Sequence, residues 1–574
     1  MYKKIISAIL MICISLAEVG VFAEGTSNCN RYSGNNIEAQ NYQNWANTET
    51  SYLTDCKDGT FMRFQANALD DYYIAEYYSS DFKLIYTVKI EKELPLFGAY
   101  YATDNYYFIL SGQNNEEESP NVEVFRITKY DKNWKRVTST GLSDCNTVAP
   151  FECGTSRMTD SDGYLIIRTS HKMYMNKSDG KNHEANVTIQ VDIEQMKITD
   201  YLTAVSSSKA GYVSHSFNQF VKVENGSIVA VDHGDAYPRS IVLMNYPTKV
   251  SSGKFNTYSV SSTNMLSFDG SNGQNFTGAS VGGFEISNTS YLLACNHINY
   301  EGYDWSQSIG GGITYTIRYS TGKVIVYKLL KGYDARNVYV SVKSKSGSNV
   351  ELKQVTNLDG TKTATTPQLV KINDNRFIIL WTQKKITPAT EIPEVSAYSG
   401  YYLYEPENKV YYAELDAEGN MISEIKSING NLSDCQPIVY NGSVIWYTWQ
   451  DSVNNFYKID ISDTSSADVQ SVNYEHSYDN GTVVKEATHD EEGIIRYTCK
   501  YCGESYEKTI PKKSYNVGDV NHDDVIDIRD ATIIQKYVIN IDVDIDLTLA
   551  DFNSDGRVNV KDITLIQKHI VKSV

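Results

Sequence analysis

Near the end of the chain, Asp519, Asn521, Asp523, Asp527 and Asp530 are followed by Asp551, Asn553, Asp555, Asn559 and Asp562. Counted from the first member, each set puts a side-chain oxygen at positions 1, 3, 5, 9 and 12. That is the spacing by which a short loop wraps one hard cation such as Ca²⁺. Position 6 of the second set is Gly556, where the chain turns sharply and a residue without a Cβ is cheapest. The first set has Asp524 there, and Asp tolerates a left-handed backbone better than most residues. Each set runs into an apolar-periodic stretch: Ile533, Ile534, Tyr537 and Val538 in one, Ile563, Ile566 and Ile570 in the other. The spacing predicts two loop-helix units holding two calcium ions.

A second group of chemically capable residues lies upstream. Arg168 and His171 stand in one stretch, Asp232, His233, Asp235 and Arg239 in the next, and Asn296 with His297 in a third. His183, Asn186, His215 and Asn218 fall between them. Imidazoles could hold a divalent metal or act as acid-base groups, and Arg168 and Arg239 could clamp a substrate carboxylate, as a uronate-cleaving lyase requires. Two other readings stay open: a carbohydrate-binding cluster, and hydrogen-bond ladders that satisfy exposed strand ends. No two of these histidines have tight ligand spacing. Glycosidase chemistry needs two carboxylates flanking a sugar. Asp232 and Asp235, three apart in one turn, cannot do that alone, although Glu301 and Asp304 could complete a pair.

The elements that would position these residues repeat. Turns rich in Asn, Asp and Gly precede runs of four or five apolar residues, as in ATDNYYFILSGQ, TDSDGYLIIRTSH, KVENGSIVAVDHG, EISNTSYLLACNH, KINDNRFIILWTQ and VYNGSVIWYTWQ. A second hairpin follows each run, so every copy offers four antiparallel strands, a propeller blade. The copies lie further apart than the ~40–50 residues of compact propeller repeats, which implies long loops. The stretch from Tyr72 to Ile90 either completes the last blade or belongs to a seventh. A pair of β-sandwiches or a β-helix is the alternative, and the irregular period counts against the helix. The 45 tyrosines and 6 tryptophans, dense in Asn299–Trp305 and Ala397–Glu407, suit either sugar stacking or ordinary strand packing.

The two acidic loop-helix units resemble a type I dockerin, the module by which secreted polysaccharide-degrading proteins dock onto cohesin modules of a scaffolding protein. Aspartate at position 12 is usual in that family. The resemblance implies cohesin contacts at Ile528, Arg529, Gln535 and Lys536 and at Val560, Lys561, Gln567 and Lys568. Many members carry Ser-Thr at the first two of these positions, so Ile-Arg and Val-Lys bear on which cohesin is chosen. Residues 476–513 resemble small cysteine-rich modules of exported bacterial proteins, with His489 where that pattern usually has a cysteine. His476, His489, Cys499 and Cys502 could then form a tetrahedral Zn²⁺ site, against a Cys499–Cys502 disulfide or thiol pair.

Residues 1–23 read as a signal peptide, with Lys3 and Lys4, an apolar run from Ile5 to Leu16, and Val21 and Ala23 at the peptidase positions. The protein is therefore expected outside the cell, on a free or surface-attached scaffold, with no membrane span. A net charge of −18 argues against nucleic acid or anionic lipid as partner. Cysteines are sparse; Cys29 with Cys56 and Cys145 with Cys153 are the expected pairs. The expected fold class is all-β: a six- or seven-bladed β-propeller over 24–462, a linker over 463–475, a small Cys/His-rich β module over 476–513 and an α-helical EF-hand-like dockerin over 514–574. The expected function is a cellulosome-type component whose propeller binds plant polysaccharide. Two alternatives stay open: the propeller is a polysaccharide lyase or glycoside hydrolase with candidates His171, His233, Asp235, Arg239 and His297, or it binds protein and shapes the complex.

Overall fold

A computed structural model describes residues 46–66, 71–205, 207–255, 259–268, 272, 277–298, 315–318, 324–328, 335–388, 402–450, 453–473, 478–499 and 505–573. The signal stretch, Cys29, Glu301, Asp304, the tyrosine-rich 299–305 and 397–401, His476 and Cys502 lie outside these residues. The chain divides into a unit over Asn28–Tyr474 and a unit containing Glu475–Val574.

In the first unit the apolar runs become strands buried on both faces. Successive strand side chains point to opposite sides, so an unbroken run serves two neighbours at once. Phe377, Ile379 and Trp381 enter one core and Ile378 and Leu380 the next. Leu292 and Leu293 divide in the same way. A sheet built of such strands cannot stop at an open face.

Among the described residues there are seven four-stranded antiparallel meanders, at 51–91, 96–142, 157–202, 214–267, 279–354, 368–429 and 438–473, called blades 1 to 7 here. Blades 3 and 4 are also stitched by one strand pair, Ala185 with Ser214. A hairpin of Tyr315–Arg318 and Val324–Lys328, inserted in blade 5, pairs with the extended strand of blade 6 through Tyr327 and Leu403. Seven apolar clusters fill the seams between consecutive blades, and the last joins blade 7 to blade 1. The ring is a closed seven-bladed propeller. At its centre the inner strands of blades 5 and 6 come so close that a Cβ on Gly283 would overlap Leu369.

Tyr72–Ser79 and Leu84–Glu91 are the outer strands of blade 1 itself, so they do not complete the last blade. Among the described residues no strand pair crosses the closing seam; side chains hold it, some of them on backbone carbonyls, as Tyr440 on Gly59 and Tyr447 on Phe64. Phe61 stacks on Tyr78 at 5.4 Å and meets Tyr440 and Phe456 of blade 7 edge-on. Arg63, fully buried, pairs with Glu76 at 2.8 Å and lies 4.5 Å over the Trp449 ring. Tyr447 donates to Gln65 at 2.9 Å, and Asn454 to Tyr78 at 3.1 Å. The stretch read as a linker begins too early, because Ala467–Asn473 is the outer strand of blade 7. Buried Cys145 is a free thiol 3.6 Å from Thr147 Oγ1 and so is not bonded to Cys153; Cys56 is a free thiol, and its expected partner Cys29 lies outside the described residues.

The second unit holds a three-stranded sheet, Thr482–Lys485, Gly493–Thr498 and Ser505–Ile510, and helices α1 (Ile528–Val538), α2 (Leu547–Ala550) and α3 (Val560–Ser573). Ile534 of α1 and Ile563 and Ile566 of α3 pack with Val520, Ala531 and Ala550; Tyr537 instead faces outward.

Truncation of a buried aromatic ring at a seam costs about 3–5 kcal/mol. Phe61→Ala is therefore expected to lower propeller stability by about that amount. Denaturant unfolding followed by tryptophan fluorescence measures it, since every tryptophan precedes residue 474.

Candidate calcium loops and the histidine-bearing strand ends

The two acidic loops have one hydrogen-bond pattern. Asp519 accepts from the N–H groups of Asp523 and Asp524 at 3.1 and 3.0 Å, and Asp551 from those of Asp555 and Gly556 at 3.0 and 2.7 Å. Asn521 and Asn553 each accept from the N–H two residues on at 2.9 Å. At position 12, Asp530 accepts from Val520, Asn521 and Asp527, and Asp562 from Asn553 and Asn559; both are fully buried. Positions 4 and 6 are left-handed in both loops, with φ of 61° and 66° at His522 and Asp524 and of 55° and 82° at Ser554 and Gly556. Position 9 of the first loop, Asp527, also caps α1, and Asp530 completes the capping box.

Electrostatics follow from this crowding. Burial pushes the Asp530 carboxyl up, and the nearby Asp519 carboxylate adds to the shift. Oxygen-only donors gathered at this density are what a hard divalent cation offsets. Arg529 pairs with Asp523 and Asp527, each at 2.8 Å. Ile528, Arg529, Gln535, Lys536, Val560, Lys561 and Lys568 are exposed, and Gln567 is half-buried.

Residues 517–571 match the model of the type I dockerin domain. The chain carries a type I dockerin. Its domain family binds calcium and docks on cohesin, so Ca²⁺ and a cohesin belong to this protein's chemistry. No curated protein matches the chain. Among solved structures, the hemagglutinin-neuraminidase ectodomain of parainfluenza virus 5 is similar at 9% identity, covering 71% of this chain and 93% of that one, with TM-score 0.31. The β-propeller domain of the trilobed protease from Pyrococcus furiosus is similar at 10% identity, covering 74% and 93%, with TM-score 0.30. The N11 neuraminidase-like protein of influenza A/flat-faced bat/Peru/033/2010 is similar at 8% identity, covering 71% and 95%, with TM-score 0.32.

Ahead of the dockerin, His489 has both ring nitrogens engaged, Nδ1 with the Lys513 carbonyl at 2.9 Å and Nε2 with Asp524 at 2.6 Å. Neither is turned to Cys499, which is buried in the small sheet. Around His489 and Cys499 no group of three or more metal-ligating side chains occurs among the described residues.

In the propeller, the histidines at neighbouring strand ends do not converge, because each occupies a different environment. His171 faces the seam of blades 2 and 3, with Nδ1 2.7 Å from Thr147 Oγ1. His233 reaches Thr277, in the approach to blade 5, at 3.0 Å. His297 stacks on Tyr339 within blade 5 at 4.2 Å, and His183 pairs with Asp179 on a hairpin tip. Arg168 is no substrate clamp: fully buried, it pairs with Asp232 at 2.5 Å and donates to Tyr246 across the seam of blades 3 and 4, and donates to Thr188 of its own blade. Asp232 also accepts from Ser216 at 2.7 Å. Arg239 donates to the Asp235 carbonyl at 3.1 Å, and the Asp235 carboxylate pairs with His215 at 2.9 Å.

Two groups escaped sequence reasoning. Glu184, buried, stands beside Asp235; it shares a strand face with Asn186, Thr188 and Gln190, a period-two polar stripe legible in HEANVTIQ. Glu49, ahead of blade 1, pairs with Arg157 of blade 3 at 2.5 Å, while Thr50 donates to Asp434 ahead of blade 7 at 2.7 Å.

Burial lifts the carboxyls of Glu184, Asp235 and Asp434, and lifts Glu49 to about 7. Burial depresses the imidazoles of His171 and His233 to about 3. A raised carboxyl contributes stability below its unfolded value of 4.5 that is lost as pH rises through the folded value. A depressed histidine contributes stability above its unfolded value of 6.5 that is lost as pH falls toward 3. The propeller Tm is expected to be highest between the two unfolded values, 4.5 and 6.5, and to fall as pH drops below 4.5 and as it rises above 6.5. Tryptophan-detected melts across pH 3.5 to 8.5 test this.

Proposed function

We propose that this is an exported component of a scaffold-borne polysaccharide-degrading complex. Its dockerin binds a scaffoldin cohesin with two calcium ions, and its propeller binds plant polysaccharide. The observation that carries the reading is the congruence of the two loops inside the dockerin match. Asp519, Asn521, Asp523, Asp527 and Asp530 would hold one ion and Asp551, Asn553, Asp555, Asn559 and Asp562 the other. Bound calcium neutralises clustered carboxylates, and its binding energy contributes to folding. The cohesin-facing residues are Ile528, Arg529, Gln535, Lys536, Val560, Lys561, Gln567 and Lys568, most of them exposed along the starts and first turns of α1 and α3.

A binding role for the propeller is supported by how its polar groups are spent. Arg168, Asp232, His171 and His233 are consumed in the seams, which leaves them as scaffold. Tyr237, half-exposed at a strand end, offers an aromatic face of the kind sugars stack on. One arrangement favours the alternative of a lyase or glycoside hydrolase: the Asp235–His215 pair, with His215 partly exposed and Glu184 beside it.

Incubation of the full chain with plant cell-wall polysaccharides and starch, with and without divalent metal, separates these. Depletion of protein from solution without product release is the expected result. Release of sugars or unsaturated products that Asp235→Asn abolishes would overturn it in favour of the enzyme; no depletion and no release would leave a protein-binding propeller.

A further inference from the structure

The small β module is hydrogen-bonded to the first of the two acidic loops, through His489 and Asp524. In the first loop the left-handed position 6 is filled by Asp524 at φ 66°, where the second loop has Gly556 at φ 82° with open space around it. A non-glycine residue in that region is strained unless its surroundings hold it. Here they do. The Asp524 carboxylate meets His489 Nε2 at 2.6 Å, and the far nitrogen of the same ring is fixed on the Lys513 carbonyl at 2.9 Å. Tyr515 stacks on His489 with centroids 3.7 Å apart and planes 7° apart. The other face of Tyr515 covers His522, at 4.2 Å and 22°, and His522 is the left-handed position 4. Lys513 N–H also bonds the Thr488 carbonyl at 2.9 Å. Both strained positions of the first loop are thus gripped by one three-ring stack rooted in the module.

We infer that the small module is a clamp on the first calcium loop, with His489 and Tyr515 as positioning residues that raise its calcium affinity. The inference rests on the calcium reading above. It makes the module part of the docking device and explains how a loop without glycine at position 6 keeps the geometry of its twin. A charge-assisted pair at a partly exposed site is worth up to about 1 kcal/mol, so its loss weakens the first site about threefold to fivefold.

Calcium titration of the full chain by calorimetry, after removal of bound metal, tests this, with Asp551→Ala isolating the first loop and Asp519→Ala the second. His489→Ala should weaken the first site about threefold to fivefold and leave the second unchanged. Tyr515→Leu should act in the same direction, and His489→Gln, which keeps an N–H donor, should restore part of the loss. In an Asp524→Gly background, His489→Ala should lose most of its effect, keeping only what it passes to His522 through Tyr515. Equal affinities of both sites with and without His489, or full sensitivity to His489 in the Asp524→Gly chain, would overturn the clamp while leaving the calcium reading intact. One zinc per chain, lost in His489→Ala, would also overturn it, because a ligating nitrogen cannot hold Asp524. A chain that binds no calcium at all would overturn both.

Discussion

Strands that are apolar on both faces impose the constraint from which the propeller follows. A four-stranded sheet with Ile378 and Leu380 on one side and Phe377, Ile379 and Trp381 on the other needs a neighbour on each face. Seven such sheets satisfy one another only as a ring, and the last seam must then be as well packed as the rest. It is, through Phe61, Tyr78, Tyr447 and Trp449, although among the described residues no strand pair crosses it. The same constraint decides the fate of the polar residues at strand ends. Where a polar group is trapped between blades, it needs a partner, and Arg168 with Asp232 or His171 with Thr147 is the result. Histidines that cluster in the sequence therefore end in separate environments, His171 beside Thr147, His297 against Tyr339 within blade 5 and His183 on a hairpin tip.

The C-terminal unit obeys the opposite rule. Its core is small, and its first acidic loop buries Asp519 and Asp530 near each other, while the second buries Asp562. Position 12 is central: each of these aspartates ties together the start of its loop and the start of its helix. A divalent cation turns that electrostatic cost into a folding contribution. In the proposed reading docking is coupled to metal, whereas the propeller stands on apolar seams.

Legibility in the sequence tracked the range of the interactions. The loop ligands, position-6 geometry and helix starts are local patterns, and Asp519 to Asp530 and Asp551 to Asp562 fold as their spacing implies. The blades were legible because both-face burial writes itself as unbroken apolar runs. Their number was not: blade 1 needs its own inner strands, Ser51–Asp55 and Thr60–Gln65, and the first of these carries no apolar run. The pairing of Arg168 with Asp232 and of His489 with Asp524 depends on register between distant strands and modules, which composition and spacing do not encode. Glu184 was hidden for the same reason, although its polar stripe was present.

The central claim is that the C-terminal unit is a calcium-dependent cohesin-docking module. Binding of the full chain to an immobilised type I cohesin, in millimolar calcium and then in excess chelator, tests it most directly. The account predicts tight binding in calcium and its loss in chelator, with the tryptophan signal of the propeller unchanged. Binding that persists undiminished in chelator, or that fails against every type I cohesin in calcium, would contradict it.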